Sequence, residues 1–515
     1  ATSADSSPVL IASDQSAVPA QLCGTQDDGT IINIPATSEG HLEVAIHGPI
    51  NPFGSVNVES LVPIFQSDPV YGINTTEVVA STGLGYDPGV APPAANSGTN
   101  TGTGNLYTCS TGTTAYSFAT MQSRKRLRYR AGQGVVGRFT ALWSTPVASS
   151  TVVAGYGSGE SGYFFGYNGT SFGILHSTGN VREIQTFTVT AAATVGGAVT
   201  FTLSDKEYAQ TLAASATTTL TANDIASKTY SGWSVEARGA TVIFLANAVG
   251  NKTGTFSVTP GASALTGTYA ETLAGSTTAD TWIAQTAWNG DPCDGTGASG
   301  FTLDQTVGNV FQISVAYLGF GPVTFEIMIP NTAGNNASWV TVHTINNPNS
   351  RTTTHMNQPT FPFTMAAYSA GSTTNVSVSV ASFAGFVAGE IRNTGPRMTY
   401  FNTTGVTSTT TTYKPIFTFR NDYVYATRAN QSVVHVLSCT GAVKSNTGIT
   451  SFYIIRNATL TGATWAAWST SSSTYADLPV HSQIMSRWYG QEQCQRLVSL
   501  SCLSQMTSLF SQERQ

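Results

Sequence analysis

Any chemistry in this chain must come from few residues, because only 10% of the 515 are charged, against roughly 25% in ordinary soluble domains. The seven histidines show no H-E-x-x-H or H-x-H spacing. His343 and His355 stand in a stretch without acids, so a metal triad there has no third member. The loop Asp291-Pro292-Cys293-Asp294-Gly295-Thr296-Gly297, with Asp304 beyond it, has the residue types of a calcium loop. It lacks the D-x-D-x-D-G register and terminal Glu of an EF-hand, and Asp with Gly is ordinary turn chemistry. Gly155-Tyr156-Gly157-Ser158-Gly159-Glu160 has the glycine density of a phosphate cradle. Aromatic strand residues follow it, so the helix N-terminus that would hold a phosphate is missing. There is no G-x-S-x-G elbow.

Three functional classes remain to be weighed on the same residues. A polysaccharide-degrading enzyme needs two acids facing one another across a cleft, and Glu160, Asp291, Asp304 and Glu326 are the candidates. A glycan-binding adhesin would expose Trp143, Tyr156 or Tyr163 to stack on sugars. A structural protein would bury those same rings in its core. No catalytic residue, metal ligand or cofactor-binding residue is assigned, and an enzyme is not expected.

Arg124, Lys125, Arg126, Arg128 and Arg130 are five of the chain's 22 basic residues. Such a run can meet an acidic partner, or guard the edge of a strand against aggregation. The net charge of −5 leaves no nucleic-acid footprint over the chain as a whole. No run of apolar residues is long enough to span a membrane. The first residues have neither the basic nor the apolar region of a secretory signal, so one is absent or was removed before this numbering begins. The six cysteines, at 23, 109, 293, 439, 494 and 502, form no C-x-x-C pair. They read as small core residues rather than a disulfide framework, with Cys494 and Cys502 open to pairing between chains. The eight N-x-S/T sequons are about what chance gives in a chain so rich in Ser and Thr.

The elements that must position these residues are strands. The chain holds 77 Thr and 54 Ser, about a quarter of its length, but only six Lys. Branched Thr fits a pleated surface, and the 50 Gly and 21 Pro punctuate turns. The pattern predicts an all-β chain of tandem β-sandwich or jelly-roll domains. Residues 1–120 form an extended attachment arm, with strands at 9–12 and 42–46 and a low-complexity linker at 91–104. Residues 121–185 and 276–394 form one split β-sandwich. Asn168-Gly169 joins strands 162–167 and 171–175 as a hairpin. Other strands of this domain are expected at 138–143, 310–316, 323–329, 338–344 and 376–381. Residues 186–275 form an inserted β module with strands at 186–190, 199–203, 234–237 and 240–245, and a helix at 222–226 capped by Thr221. A further β domain follows at 395–477, with strands at 416–419, 433–437 and 452–455. From 478 to 515 the chain has one Gly and one Thr. There Trp488, Leu497, Val498, Leu503, Met506, Leu509 and Phe510 recur at roughly helical spacing, which predicts a helical tail.

Two stretches resemble known virion proteins. Ser7 to Pro19, SPVLIASDQSAVP, is similar to a segment of structural proteins of tailed phages. Residues 125 to about 390 resemble a β-sandwich family of phages and giant, algae-infecting large DNA viruses. The likeness is carried by Arg138-Phe139-Thr140-Ala141, by residues 162–175, by Trp288-Asn289 and by residues 294–300. Leu303-Asp304, Tyr317-Leu318-Gly319-Phe320-Gly321, His343, Pro359 and Pro362 complete it. The family contributes no catalytic residue, and Pro322 and the C-terminal segment depart from its pattern. The resemblance implies a component of the virion: a minor capsid, spike, fibre or tail protein. Its expected partners are other capsid proteins and copies of itself, a trimer among the options, with a host surface glycan as a further partner and no nucleic acid.

Overall fold

The computed structural model describes residues 61–84, 96–129, 132–277, 279–330, 337–389, 414–430 and 432, with isolated strand segments elsewhere. The chain divides into two units, Ala1–Val58 and Glu59–Gln515. In the first, the strands Cys23–Thr25 and Ile31–Asn33 pair antiparallel. The expected strands at 9–12 and 42–46 lie outside the described residues. The second unit holds every other described strand.

The fold is all-β, with sheets packed against one another, and its described strand ladders are antiparallel. One sheet has seven strands, in the order Asp280–Ala284, Ser171–Ser177, Gly162–Asn168, Ser150–Gly157, Thr360–Ser369, Ser117–Arg128 and Val78–Leu84. The opposing nine-stranded sheet is built on Val135–Trp143, Asn309–Val315, Val323–Pro330 and Ala337–Ile345. Ser377–Val380, Phe383–Ala388, Leu106–Ser110, Thr99–Thr103 and Leu61–Ser67 complete it. Strands from 61 to 128 are thus integral to both large sheets, and Thr99–Thr103 takes up part of the expected linker.

Side-chain alternation explains the packing, since successive residues of a strand face opposite ways. Along Val135–Trp143 the last seven positions alternate between buried and half-buried. Phe139, Phe165, Phe311 and Phe363 meet between the sheets, with Phe139 stacked on Phe311 at 5.4 Å. The hairpin forms in the expected register, Gly162 opposite Ser177 and Asn168 opposite Ser171. Its two loop residues are therefore Gly169 and Thr170, one position later than Asn-Gly suggests. Gly169 adopts φ +58°, as the first position of a type II′ turn requires.

Thr360–Ser369 lies between two partners although Pro362 interrupts it. A proline cannot donate to a ladder, and the register shifts between Pro362 and Thr364. The Phe363 amide freed there donates to Ser123 Oγ at 2.9 Å.

Residues 182–273 build two further sheets around their own core. One orders Trp233–Arg238, Thr241–Val249, Arg182–Ala191 and Thr266–Leu273; the other orders Lys206–Leu212, Gly197–Leu203 and Phe256–Thr259. Phe187, Phe201, Tyr230, Phe244 and Leu265 fill the space between them. The helix is Thr218–Ser227 and its cap is Thr217, whose side chain accepts from the Leu220 amide. Thr221, expected as the cap, lies inside the helix, where its buried hydroxyl accepts from the Ala193 amide at 3.0 Å. Thr217 offers the same capping chemistry one turn earlier.

A five-stranded sheet orders Ile449–Arg456, Val498–Gln505, Lys414–Asn421, Thr474–Asp477 and Trp465–Ala467. Val498–Gln505 corrects the expected helical tail. Val498, Leu500 and Cys502 alternate with Ser499 and Ser501, and in so short a run the strand period prevails. Apart from this strand and Met485–Ser486, residues 478–515 lie outside the described residues, as does the expected strand at 433–437. The helix at 218–227 is the α-helix among the described residues, and it is not C-terminal.

Phe139→Ala opens a cavity between the sheets and should cost about 3–5 kcal/mol of unfolding free energy. Tyr71→Ala, at a fully exposed position, should stay within about 0.5 kcal/mol. Urea denaturation of both variants checks this; equal losses would refute the aromatic seam as the core.

Candidate functional site

The rings proposed for sugar stacking are buried: Trp143 and Tyr156 are 1% exposed and Tyr163 is 0% exposed. All three are core, so none is a platform for a ligand. The four candidate acids lie in different settings. Glu160 pairs with Arg182 Nε at 3.0 Å. Asp291 accepts the Cys293 and Ser299 amides at 2.8 and 2.7 Å. Burial raises the pKa of Asp291, but those two amides outweigh it and hold the carboxyl below its ordinary value. The loop Asp291–Gly297 is therefore closed on its own carboxylate rather than open to calcium. Asp304 accepts from Thr306. Glu326 takes the Gln312 side-chain amide, and burial raises its pKa.

Among the described residues no group of three or more His, Cys, Asp or Glu could hold a metal. His343 accepts the Asn289 amide at Nδ1, 3.2 Å away. His355 Nδ1 and the Tyr163 hydroxyl share a 2.5 Å hydrogen bond, and His176 donates from Nε2 to the His355 carbonyl at 3.3 Å. His176 also stacks on Tyr163 at 4.8 Å. Burial drives both imidazoles down to about 4, with the Arg351 charge adding to the effect at each.

Residues 124–128 of the basic run are part of the strand Ser117–Arg128, while Arg130 lies outside the described residues; among the described residues, over 126–128 only Thr360–Ser369 pairs with it. The expectation of a guarded strand edge thus fits one side of that stretch. Arg124 Nε donates to the Thr75 carbonyl at 2.6 Å.

The cleft that remains was not anticipated from the sequence. It measures about 240 Å³ and lies where the seven-stranded sheet, the residue 182–273 sheets and a short hairpin meet. Glu160 and Ser161 come from the bend between Ser150–Gly157 and Gly162–Asn168. Gly179, Asn180 and Val181 come from the link into Arg182–Ala191, and Arg182 opens that strand. Asn357 and Gln358 precede Thr360–Ser369, while Leu273 ends its own strand. Thr427, Arg428 and Ala429 belong to the hairpin of Val424–Tyr425 and Arg428–Ala429.

The side chains here divide into used and free. Asn180 is used, donating to Asp280 Oδ1 at 2.7 Å and to the Gly159 carbonyl at 3.2 Å. Among the described residues, the side-chain amides of Asn357 and Gln358 have no hydrogen-bond partner, nor has the Arg428 guanidinium.

A buried ion cluster docks the hairpin. Arg238 binds Glu236 at 2.7 Å and Asp422 at 3.0 Å, and Arg420 binds Asp422 at 2.7 Å. Arg420 also donates to the Ala237 carbonyl at 2.6 Å, and Glu236 accepts the Tyr423 amide at 2.5 Å. Burial, reinforced by the nearby Asp422 carboxylate, raises the pKa of Glu236. Val424 and Ala429 pack on Ile184, Ile243 and Leu245. At the hairpin tip Ala426 and Thr427 both have positive φ, +46° and +57°. A type I′ turn demands this of both residues, and a branched Thr resists it.

No family model matches the chain, and no curated protein matches it. Solved structures that do match include botulinum neurotoxin type C, whose cell entry depends on interaction with two ganglioside molecules. There the identity is 8% and the TM-score 0.22, over 61% of this chain and 44% of that one. The lectin from Bauhinia forficata in complex with GalNAc matches at 8% identity and TM-score 0.21, over 64% of this chain and 99% of that one. The binding domain of botulinum neurotoxin DC in complex with SialylT matches at 8% identity and TM-score 0.22, over 83% and 89%. This chain thus spans less than half of the first neurotoxin chain. At such TM-scores the likeness carries no argument about chemistry.

These matches are lectins and toxin binding domains, not capsid, spike, fibre or tail proteins. The expectation of a virion structural protein, with capsid proteins as partners and the virion as its location, is corrected on that finding. The four candidate acids are engaged by separate partners.

The buried charges make stability depend on pH and on one carboxylate. His176 and His355 are neutral in the fold, whereas in the unfolded chain they take up protons below their ordinary value of 6.5. Their contribution is complete above pH 6.5 and drains away as pH falls toward about 4, because the unfolded state binds more protons in that window. Urea midpoints should fall across it, and His176→Phe, which keeps the ring stack, should flatten the slope. Asp422→Ala removes the buried carboxylate that Arg238 and Arg420 share, leaving Glu236 as the acid bound to Arg238, and should cost about 3–5 kcal/mol. Limited proteolysis should then cut at the hairpin first, and an unchanged digestion pattern would refute the docking role.

Proposed function

We propose that this protein is a non-catalytic carbohydrate-binding protein that takes a sugar into the cleft between Asn357, Gln358 and the hairpin residues Thr427 and Arg428. The observation that carries this reading is the pair of free amides at Asn357 and Gln358, exposed and half-buried respectively, in the lining of a concave surface. A sugar hydroxyl both donates and accepts, and a carboxamide offers two donors and an acceptor to match it. Val181, Leu273 and Ala429 supply apolar contact for the C–H face of a ring. At about 240 Å³ the cleft is smaller than the ~300–1,000 Å³ of enclosed small-molecule pockets. It suits one ring of a longer chain that extends into solvent.

As part of the same reading, residues 186–275 form a module inserted into a sandwich of residues 121–185 and 276–394. The bridge between Val181 and Ser276 at the module's base supports this, as does its separate core. The module matters to function because one wall of the cleft comes from its first and last strands.

The test is a glycan array on the whole chain, followed by calorimetry with the best binder. Asn357→Ala together with Gln358→Ala should weaken binding about 10-fold or more while leaving the urea midpoint unchanged. Binding that survives both changes would place the sugar elsewhere, and a folded chain that binds no glycan would end the proposal.

A further inference from the structure

We infer that the sugar held in this cleft is an acidic one, whose carboxylate or sulfate is bound by Arg428 and the free end of Arg182. This rests on the carbohydrate-binding reading and adds to it the ligand's charge.

The chain has 22 basic residues in 515, yet two arginines line this one small cleft. The single carboxylate in the lining, Glu160, is engaged by Arg182 through Nε at 3.0 Å. That contact fixes the Arg182 guanidinium and leaves its terminal Nη1 and Nη2 groups without a partner among the described residues. On the opposite wall Arg428 has no counter-charge among the described residues. Asp280, which is bonded to the lining residue Asn180, also accepts from the Ser177 hydroxyl. The lining therefore carries an excess of positive charge.

Position favours a ligand role for Arg428 over a merely solvated charge. It comes directly after a turn whose two residues, Ala426 and Thr427, are held at positive φ. The hairpin is anchored from beneath by the Arg238, Glu236, Asp422 and Arg420 cluster. A strained backbone persists only where its surroundings over-determine it, and here it sets the Arg428 backbone beside the cleft. A planar guanidinium binds carboxylate or sulfate through two parallel N–H donors, a geometry a lysine cannot reproduce. Asn357 and Gln358 would read the sugar hydroxyls while Arg428 reads its charge.

The experiment uses the whole chain on an array that prints neutral glycans beside glycans carrying sialate, uronate or sulfate groups. Inorganic sulfate serves as a competitor. Acidic glycans should dominate binding, with affinity falling as salt is raised, because Arg428 is exposed to screening. Arg428→Gln should weaken binding about 10-fold, the loss of one charge-assisted contact, and Arg428→Lys should recover only part of it. Arg428→Gln touches no described partner, so its fold should match that of the unaltered chain by near-ultraviolet circular dichroism. Equal binding of neutral glycans, unaffected by Arg428→Gln but lost in the Asn357 and Gln358 double variant, would overturn this inference and leave the carbohydrate reading intact. Inorganic sulfate binding as tightly as any glycan would overturn both, as would a folded chain that binds nothing on the array.

Discussion

The spacing of the two large sheets depends on aromatic rings that leave no room for side chains on the strands facing them. Tyr156 lies over Gly137, where a Cβ would come within 2.2 Å of its ring. Its hydroxyl lies 2.8 Å from the Arg138 carbonyl and 2.7 Å from the Ala384 carbonyl. Burial holds the phenol far above its ordinary pKa, so it stays a neutral donor. One side chain thereby ties three strands of two sheets. The consequence runs along the chain, because Ser150–Gly157 ends one residue beyond Tyr156. The bend after it is closed by the Ser158 amide on the Ser161 carbonyl at 2.9 Å, and it delivers Glu160 to the cleft. The cleft wall is thus placed by core packing rather than by local contacts of its own.

The opposite wall is placed by charge. Burying two carboxylates and two guanidiniums is costly unless their geometry is good and their remaining donors and acceptors are satisfied. Both conditions hold here, because the cluster also engages the Ala237 carbonyl and the Tyr423 amide. Aliphatic contacts among Ile184, Ile243, Leu245, Val424 and Ala429 would let the hairpin slide along the sheet. Directional bonds to Asp422 and Glu236 fix it at one place. In a chain this poor in ionic groups, such a concentration of charge marks a position that matters.

Much of the fold was legible because the strand period is short and the side chains obey it. The strands around Phe139, Phe165, Phe187 and Phe325 fall where alternation predicts them. Thr360–Ser369 was not legible, since Pro362 argues against a strand with two neighbours until its bulge is seen. The strand Val498–Gln505 misled because apolar residues in a short run satisfy two periods at once. The cleft was invisible for another reason. Glu160, Arg182, Asn357 and Arg428 are far apart in sequence and share no motif, so only the fold brings them together. Trp143, Tyr156 and Tyr163 misled in the opposite direction, because a core aromatic and a stacking platform look alike until their exposure is known.

The hydroxyl- and amide-rich composition that favours strands and turns also suits carbohydrate. A surface of Thr, Ser, Asn and Gln presents hydroxyls and amides, the groups with which sugars exchange hydrogen bonds. On a flat face those groups are satisfied by water, and a sugar gains little by replacing it. In a concave site the balance changes, because neighbouring walls already hold the donors in place before the ligand arrives. Asn180 is locked by Asp280 and the Gly159 carbonyl, and Arg182 by Glu160. Around these fixed groups stand Asn357, Gln358 and Arg428, whose side chains have no hydrogen-bond partner among the described residues. The proposed recognition thus rests on a few donors and acceptors that the fold brings together and leaves open, rather than on the polar composition itself.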